Sequence, residues 1–179
     1  MESAQLQDPL AIAIVAFLES IGLPVRVARI SGRTFLPGIT VQSGTLLVDE
    51  QQLLYPGDLL HEAGHLALLP PDTRRQAGGE MEDELGLEIA AMAWSYAAAL
   101  HVGIAPSILF HPDGYRGSSD SFVENFRAGR DVGVPLLEWA GLTAGKKTAK
   151  QLGIPAYPSM LRWLREADGL LPAAGLHQT

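Results

Sequence analysis

The stretch Asp58-Leu59-Leu60-His61-Glu62-Ala63-Gly64-His65-Leu66-Ala67-Leu68-Leu69 decides how the rest of this chain is read. Leucines at 59, 60, 66, 68 and 69 make it apolar well beyond one stripe, which predicts a buried helix over about 57–69. Tyr55-Pro56-Gly57-Asp58 provides a turn into it, and Pro70-Pro71 ends it. Residues four apart lie one turn above each other on a helix, so His61 and His65 direct two imidazoles toward one point. Two histidines and a glutamate on a buried helix need partners, because each unpaired polar group costs about 1–3 kcal/mol.

A divalent cation, zinc above all, is the partner that fits two imidazoles so placed. Glu62 lies about 100° around the helix from His61, where a carboxylate reaches a cation-bound water without ligating. Zinc brings the pKa of that water toward about 7, and the carboxylate can take its proton. Gly64 in mid-helix costs about 1 kcal/mol against alanine, which points to close approach of another backbone.

Such a site needs a third protein ligand. A histidine six residues after His65, with glycine between, would complete one known pattern, but Leu68 and Pro71 stand there. The remaining source is an acid on the following helix, expected over 80–102. Its apolar stripe runs through Met81, Leu85, Met92, Tyr96 and Ala99, and Glu88 falls within it. A lone carboxylate on a buried face needs its charge compensated, and zinc would do so. Glu84, one turn earlier on nearly the same face, is the runner-up, as ligand or as acceptor behind a ligand histidine. Glu80, Glu82 and Asp83 fit better as acids favoured by the helix dipole.

Farther out, Asp8-Pro9 opens a helix expected to reach Ser20 and stop at Gly22. Strands are expected over 25–30, 34–36, 39–42 and 45–48, with Ser31-Gly32 and Ser43-Gly44 as turns. A polar loop is expected over 72–79, and an irregular one through His111 to Gly117. Shorter helices are expected over 119–128, 135–140 and 158–167, and a loosely ordered tail after Asp168. The fold class that follows is α+β, one domain over 1–179. Residues 1–55 supply a helix and small sheet, 56–102 the metal-binding helix pair, and 103–179 a helical remainder.

The 179 residues are 47% hydrophobic and 18% charged, enough to bury a core. A net charge of −7 argues against a nucleic-acid scaffold, and the densest basic clusters, Arg74-Arg75 and Lys146-Lys147-Lys150, read as solvated surface. No apolar run approaches the roughly 18 residues of a membrane span. The best, Leu10 to Leu18, has acidic flanks and lacks the marks of a signal peptide, so a cytoplasmic protein is expected. Without cysteine there are no disulfides, thiolate ligands or cysteine nucleophile. Ser119, Asp120 and Ser121 near His111 lack the strand-turn-helix elbow of a serine hydrolase.

His61-Glu62-Ala63-Gly64-His65, flanked by leucines and followed by Glu88-Ile89-Ala90-Ala91-Met92-Ala93-Trp94, resembles the gluzincin branch of the zincin metallopeptidases. It is most similar to the ImmA/IrrE-type metallopeptidases, in which a strand like Thr45-Leu46-Leu47-Val48-Asp49 precedes the motif helix. The resemblance covers residues 46–98. It implies a zincin-like domain with a small twisted sheet packed on the motif helix and Glu88 as third ligand. It also implies a peptide or protein substrate that extends along an edge strand by β-augmentation. No helix-turn-helix DNA-binding segment accompanies it. Stabilising the oxyanion of a tetrahedral intermediate would fall partly to zinc and partly to a side chain, for which Tyr115, His111 and Tyr96 are the candidates. Two readings remain open: a zinc metallopeptidase with Glu62 as general base, and a non-catalytic zinc-stapled interaction module. Glu62, which a purely structural site would not require, favours the first.

Overall fold

The chain opens on a helix whose first turn is fixed twice over. In the computed structural model, which describes residues 5–79, 85–111, 119–130 and 132–167, α1 spans Pro9–Ser20. Asp8 Oδ1 accepts from Leu10 N–H at 2.9 Å, and Glu50 Oε1 accepts from the N–H groups of Gln7 and Asp8 at 2.6 and 2.7 Å. The second anchor ties α1 to the loop that leaves the sheet.

That sheet has three strands, β1 (Val25–Val27), β2 (Ile39–Gln42) and β3 (Thr45–Val48), in the order β1-β3-β2. β2 and β3 form an antiparallel hairpin, with Gln42 paired to Thr45. Its two-residue turn has positive φ at Ser43 (49°) and Gly44 (70°), the backbone of a type I′ turn. β1 joins β3 in parallel, Val25 opposite Leu46. Leu46, Leu47 and Val48 are all buried, as a central strand covered on both faces requires.

α2 spans Asp58–Leu68 and stops where Leu69 turns extended before Pro70. The short α3 (Pro71–Gln76) follows at once. From it Arg74 donates to the carbonyls of Leu66 (2.9 Å), Leu69 (2.8 Å) and Arg165 (2.6 Å), satisfying the orphan end of α2. α4 (Leu85–Val102) lies against α2 in the largest interface between elements. Every residue from Ala90 to Ala99 is buried. α5 (Pro106–Leu109), α6 (Ser119–Arg127), α7 (Val134–Trp139) and α8 (Lys146–Leu152) complete the helices among the described residues. The architecture is α+β, with the core where α1, β3, α2 and α4 converge on Ile14, Leu18, Leu46, Leu60, Leu66 and Trp94. No helix among the described residues is long and apolar enough to cross a membrane.

The structure corrects several expectations. β1 ends at Val27, and no strand forms over 34–36, where Thr34 Oγ1 donates to Leu36 O and accepts from Gly38 N–H. These local bonds replace a ladder. The polar loop after Pro70 begins as α3 because Pro71 suits a first helical position. Arg74, expected at the solvated surface, is half-buried because its guanidinium is spent on the Leu66 and Leu69 carbonyls, whereas Lys146, Lys147 and Lys150 are exposed on α8 as expected. Residues 158–167 form a strap rather than a helix, because their backbone groups are spent on remote partners. Thr143 bridges to Met160, Leu161 N–H bonds Leu142 O, and Arg165 N–H bonds Ala67 O at 2.9 Å. Trp94 Nε1 on α4 also donates to Trp163 O at 2.8 Å.

Candidate metal centre

Asp58, His61, Glu62 and His65 occupy positions i, i+3, i+4 and i+7 of α2 and therefore share one face. The rest of the helix is leucine, alanine and Gly64, nearly all buried. What lies opposite that face is fixed by Gly64. A Cβ placed there would stand 2.8 Å from Ala91 O and 3.2 Å from Ser95 Oγ. Only glycine allows the two backbones this approach, as its mid-helix position implied. Ser95 Oγ secures the contact with bonds to Leu60 O at 3.0 Å and Ala91 O at 2.6 Å. One turn before Ala91 on α4, Glu88 then meets the two histidines.

The ligand atoms converge closely. His61 Nε2 and His65 Nε2 are 3.2 Å apart, His61 Nε2 lies 3.3 Å from Glu88 Oε1, and His65 Nε2 lies 3.1 Å from Glu88 Oε2. Ligands held at 2.0–2.1 Å around a tetrahedral centre are separated by about 3.3 Å, close to each of these distances, with the two carboxylate oxygens of Glu88 shared between the histidines. The two rings stand edge to face at 89°, which lets both Nε2 atoms aim at one point. His61, His65 and Glu88 thus form a group within metal-binding distance. Hydrogen bonds to His61 and His65 hold the Glu88 carboxyl well below the usual carboxylate range, against the upward push of burial. An ionised Glu88 is what a cation would require.

Glu62 behaves oppositely. Burial pushes its carboxyl up; the nearby His65 and His61 pull it down without overcoming that, and Glu88 and Asp58 add to the rise. A carboxylate with raised basicity beside a candidate cation position has the character of a general base.

Two of the other candidates lie among the described residues. His111 is buried, with Nε2 donating to Asp58 Oδ1 at 3.1 Å and its ring stacked on Tyr55 at 3.6 Å. Tyr96 is also buried, stacked on Phe126 at 4.6 Å. Tyr115 and Glu84 lie outside the described residues. Sequence reading missed Asp58, which it placed in the turn before the helix. The available signal was its spacing of three from His61 on a helix otherwise made of leucine. Comparison with protein-family models, with curated proteins and with solved structures finds no match.

Proposed function

We propose that this chain is a zinc-dependent hydrolase of peptide bonds, built as a zincin-like domain, with His61, His65 and Glu88 as ligands and Glu62 as general base. The observation that carries the reading is the convergence of two imidazoles and the Glu88 carboxylate within metal-binding distance, beside a half-buried carboxylate that this group does not consume. Zinc bound there would act as a Lewis acid and lower the pKa of a water in the fourth position toward about 7. Glu62, lifted above an ordinary carboxylate, would serve as the group that accepts a proton from the attacking water and returns it to the leaving amine. Glu88, ionised, balances the cation's charge. The burial of His61 and of α2 around it keeps competing solvent away and strengthens each of these interactions. Glu62, which ligation by His61, His65 and Glu88 does not require, supports catalysis over a zinc staple. The resemblance to zincin metallopeptidases supports a peptide substrate bound in extended form along an edge of the sheet.

Elemental analysis of purified protein, with and without chelator, should return one zinc per chain. Glu62→Gln should then keep its zinc and its melting temperature while losing 10²–10⁴-fold in cleavage of any peptide the parent hydrolyses. A parent that holds stoichiometric zinc but cleaves nothing in a peptide library would instead establish the staple.

A further inference from the structure

Asp58 is the member of the α2 polar row that the proposed chemistry leaves unused. Its side chain and that of His111 are nearly sealed from solvent, at 7% and 10% exposure. Burial pushes the Asp58 carboxyl up, while the charge and hydrogen bond of His111 oppose it. Replacing such a pair by well-packed apolar residues is often neutral or stabilising, so stability alone does not account for it.

Geometry offers a reason. The N-cap of α2 is Gly57, whose side makes no capping bond. The start of the helix is held instead by α5 and the residues after it. A Cβ on Gly57 would lie 2.6 Å from Ile108 O, and two residues beyond α5 the His111 imidazole reaches Asp58. Tyr55, just before α2, stacks on that imidazole within 9° of parallel. Arg74 fixes the other end of α2, and Gly64 fixes its middle. What these contacts leave to be fixed is the N-terminal turn of α2, just before His61, where Asp58 sets the rotation. An imidazole nitrogen lies several ångströms beyond the roughly 2.3 Å Cα radius, so a turn of about 10° moves it by about 1 Å. A functional site tolerates about 0.5 Å.

We propose that the buried Asp58–His111 hydrogen bond is a positioning device for the cation site, setting the rotation of α2 so that His61 and Glu62 face Glu88. The pair touches neither cation nor substrate; it acts through the helix that carries the ligands. This inference rests on the zinc reading above for its consequence, but the rotation itself belongs to the metal-free chain.

Both levels can be read in one set of variants. Asp58→Asn keeps an oxygen that accepts from His111, whereas Asp58→Ala and His111→Ala remove the bond. In zinc titrations, each alanine variant should lose about 10–100-fold in affinity, a loss of the size that follows when a ligand is misaligned by the removal of its support. Asp58→Asn should stay within about threefold of the parent, and the double alanine variant should be no weaker than Asp58→Ala. In metal-free protein, the imidazole NMR signals of His61 and His65 should move in the alanine variants and stay in Asp58→Asn. Asp58→Asn falling as far as Asp58→Ala would overturn the proposal, since charge rather than position would then be at work. So would alanine variants with parental zinc affinity, or with unmoved imidazole signals. A parent that binds no zinc would defeat the metal reading, while the metal-free spectra would still decide the positioning role.

Discussion

Helix α2 carries four polar side chains on one face of a leucine-rich cylinder, whereas the 18-residue α4 brings Glu88 to the same place from a body of alanines. The first contribution is local, since the spacing of His61, Glu62 and His65 would place them together on any helix. The second exists only through packing. Small residues along α4, buried from Ala90 to Ala99, let its backbone come close, and Gly64 on α2 accepts it. A helix of ordinary leucine surface would stand off at the far end of the 8–10 Å range and withdraw the carboxylate. One half of the site is therefore written in a motif and the other half in the thinness of two helices.

The bluntest way to break this comparison is on α2. His61→Ala combined with His65→Ala should reduce zinc from one per chain to none; a double variant that still purifies with stoichiometric zinc would end the metal hypothesis. On α4, Glu88→Ala should weaken zinc by more than the 10–100-fold that a lost outer partner costs, and by more than Glu84→Ala. Competitive titration against a chelator ranks the two, and a reversed order would promote Glu84.

Between the helices, Gly64→Ala sets opposing effects against each other. Alanine gains about 1 kcal/mol of helix propensity, but its Cβ meets Ala91 backbone at 2.8 Å, where overpacking costs about 1–3 kcal/mol. The expected result is a net loss of up to about 2 kcal/mol in thermal melting together with weaker zinc binding. A stabilised variant with parental affinity would show that the approach of α4 is not limiting.

The smallest effect belongs to the sheet side, where Asp49 accepts from Ile30 N–H at 2.9 Å, Gln51 N–H at 3.1 Å and Gln52 Nε2 at 3.0 Å. Desolvation pushes its carboxyl up, yet these bonds and the charge of Arg29 hold it below the ordinary value. A depressed native pKa means stability that is complete above the unfolded value of about 4 and is lost as pH falls through the native one. Asp49→Asn should therefore cost about 1 kcal/mol near pH 7, on the scale of a lost charge-assisted bond, with the difference closing toward pH 3. Zinc affinity should not change; if it did, the sheet and the helix pair would not be independent.

Elements with their own punctuation were legible from the sequence. Asp8-Pro9 marks α1, Ser43-Gly44 marks the β2–β3 hairpin, and Pro70 closes α2. The spacing on α2 placed the two imidazoles on one face, and the phase of α4 placed Glu88 toward them; the structure brings all three together. Less legible was whatever depends on remote partners. The 158–167 segment has a helical composition, but Ala67, Leu142 and Trp94 supply its hydrogen bonds from far along the chain. Asp58 was hidden because an aspartate after Pro-Gly reads as a turn residue, and its partner His111 lies 53 positions away.

The contact at Gly64 also changes how relatives of this chain should be judged. Positions 64, 91 and 95 form one packing variable, so substitutions there should travel together, as directly touching residues do. A sequence of this fold that retains the histidines and glutamate of α2 but carries a bulky residue at position 64 has pushed α4 away, and its carboxylate with it. Such a sequence would pass any search for the five-residue motif while losing the approach of Glu88 on which the proposed zinc site depends. On the proposed reading, the glycine at position 64 is therefore as informative as the histidines beside it.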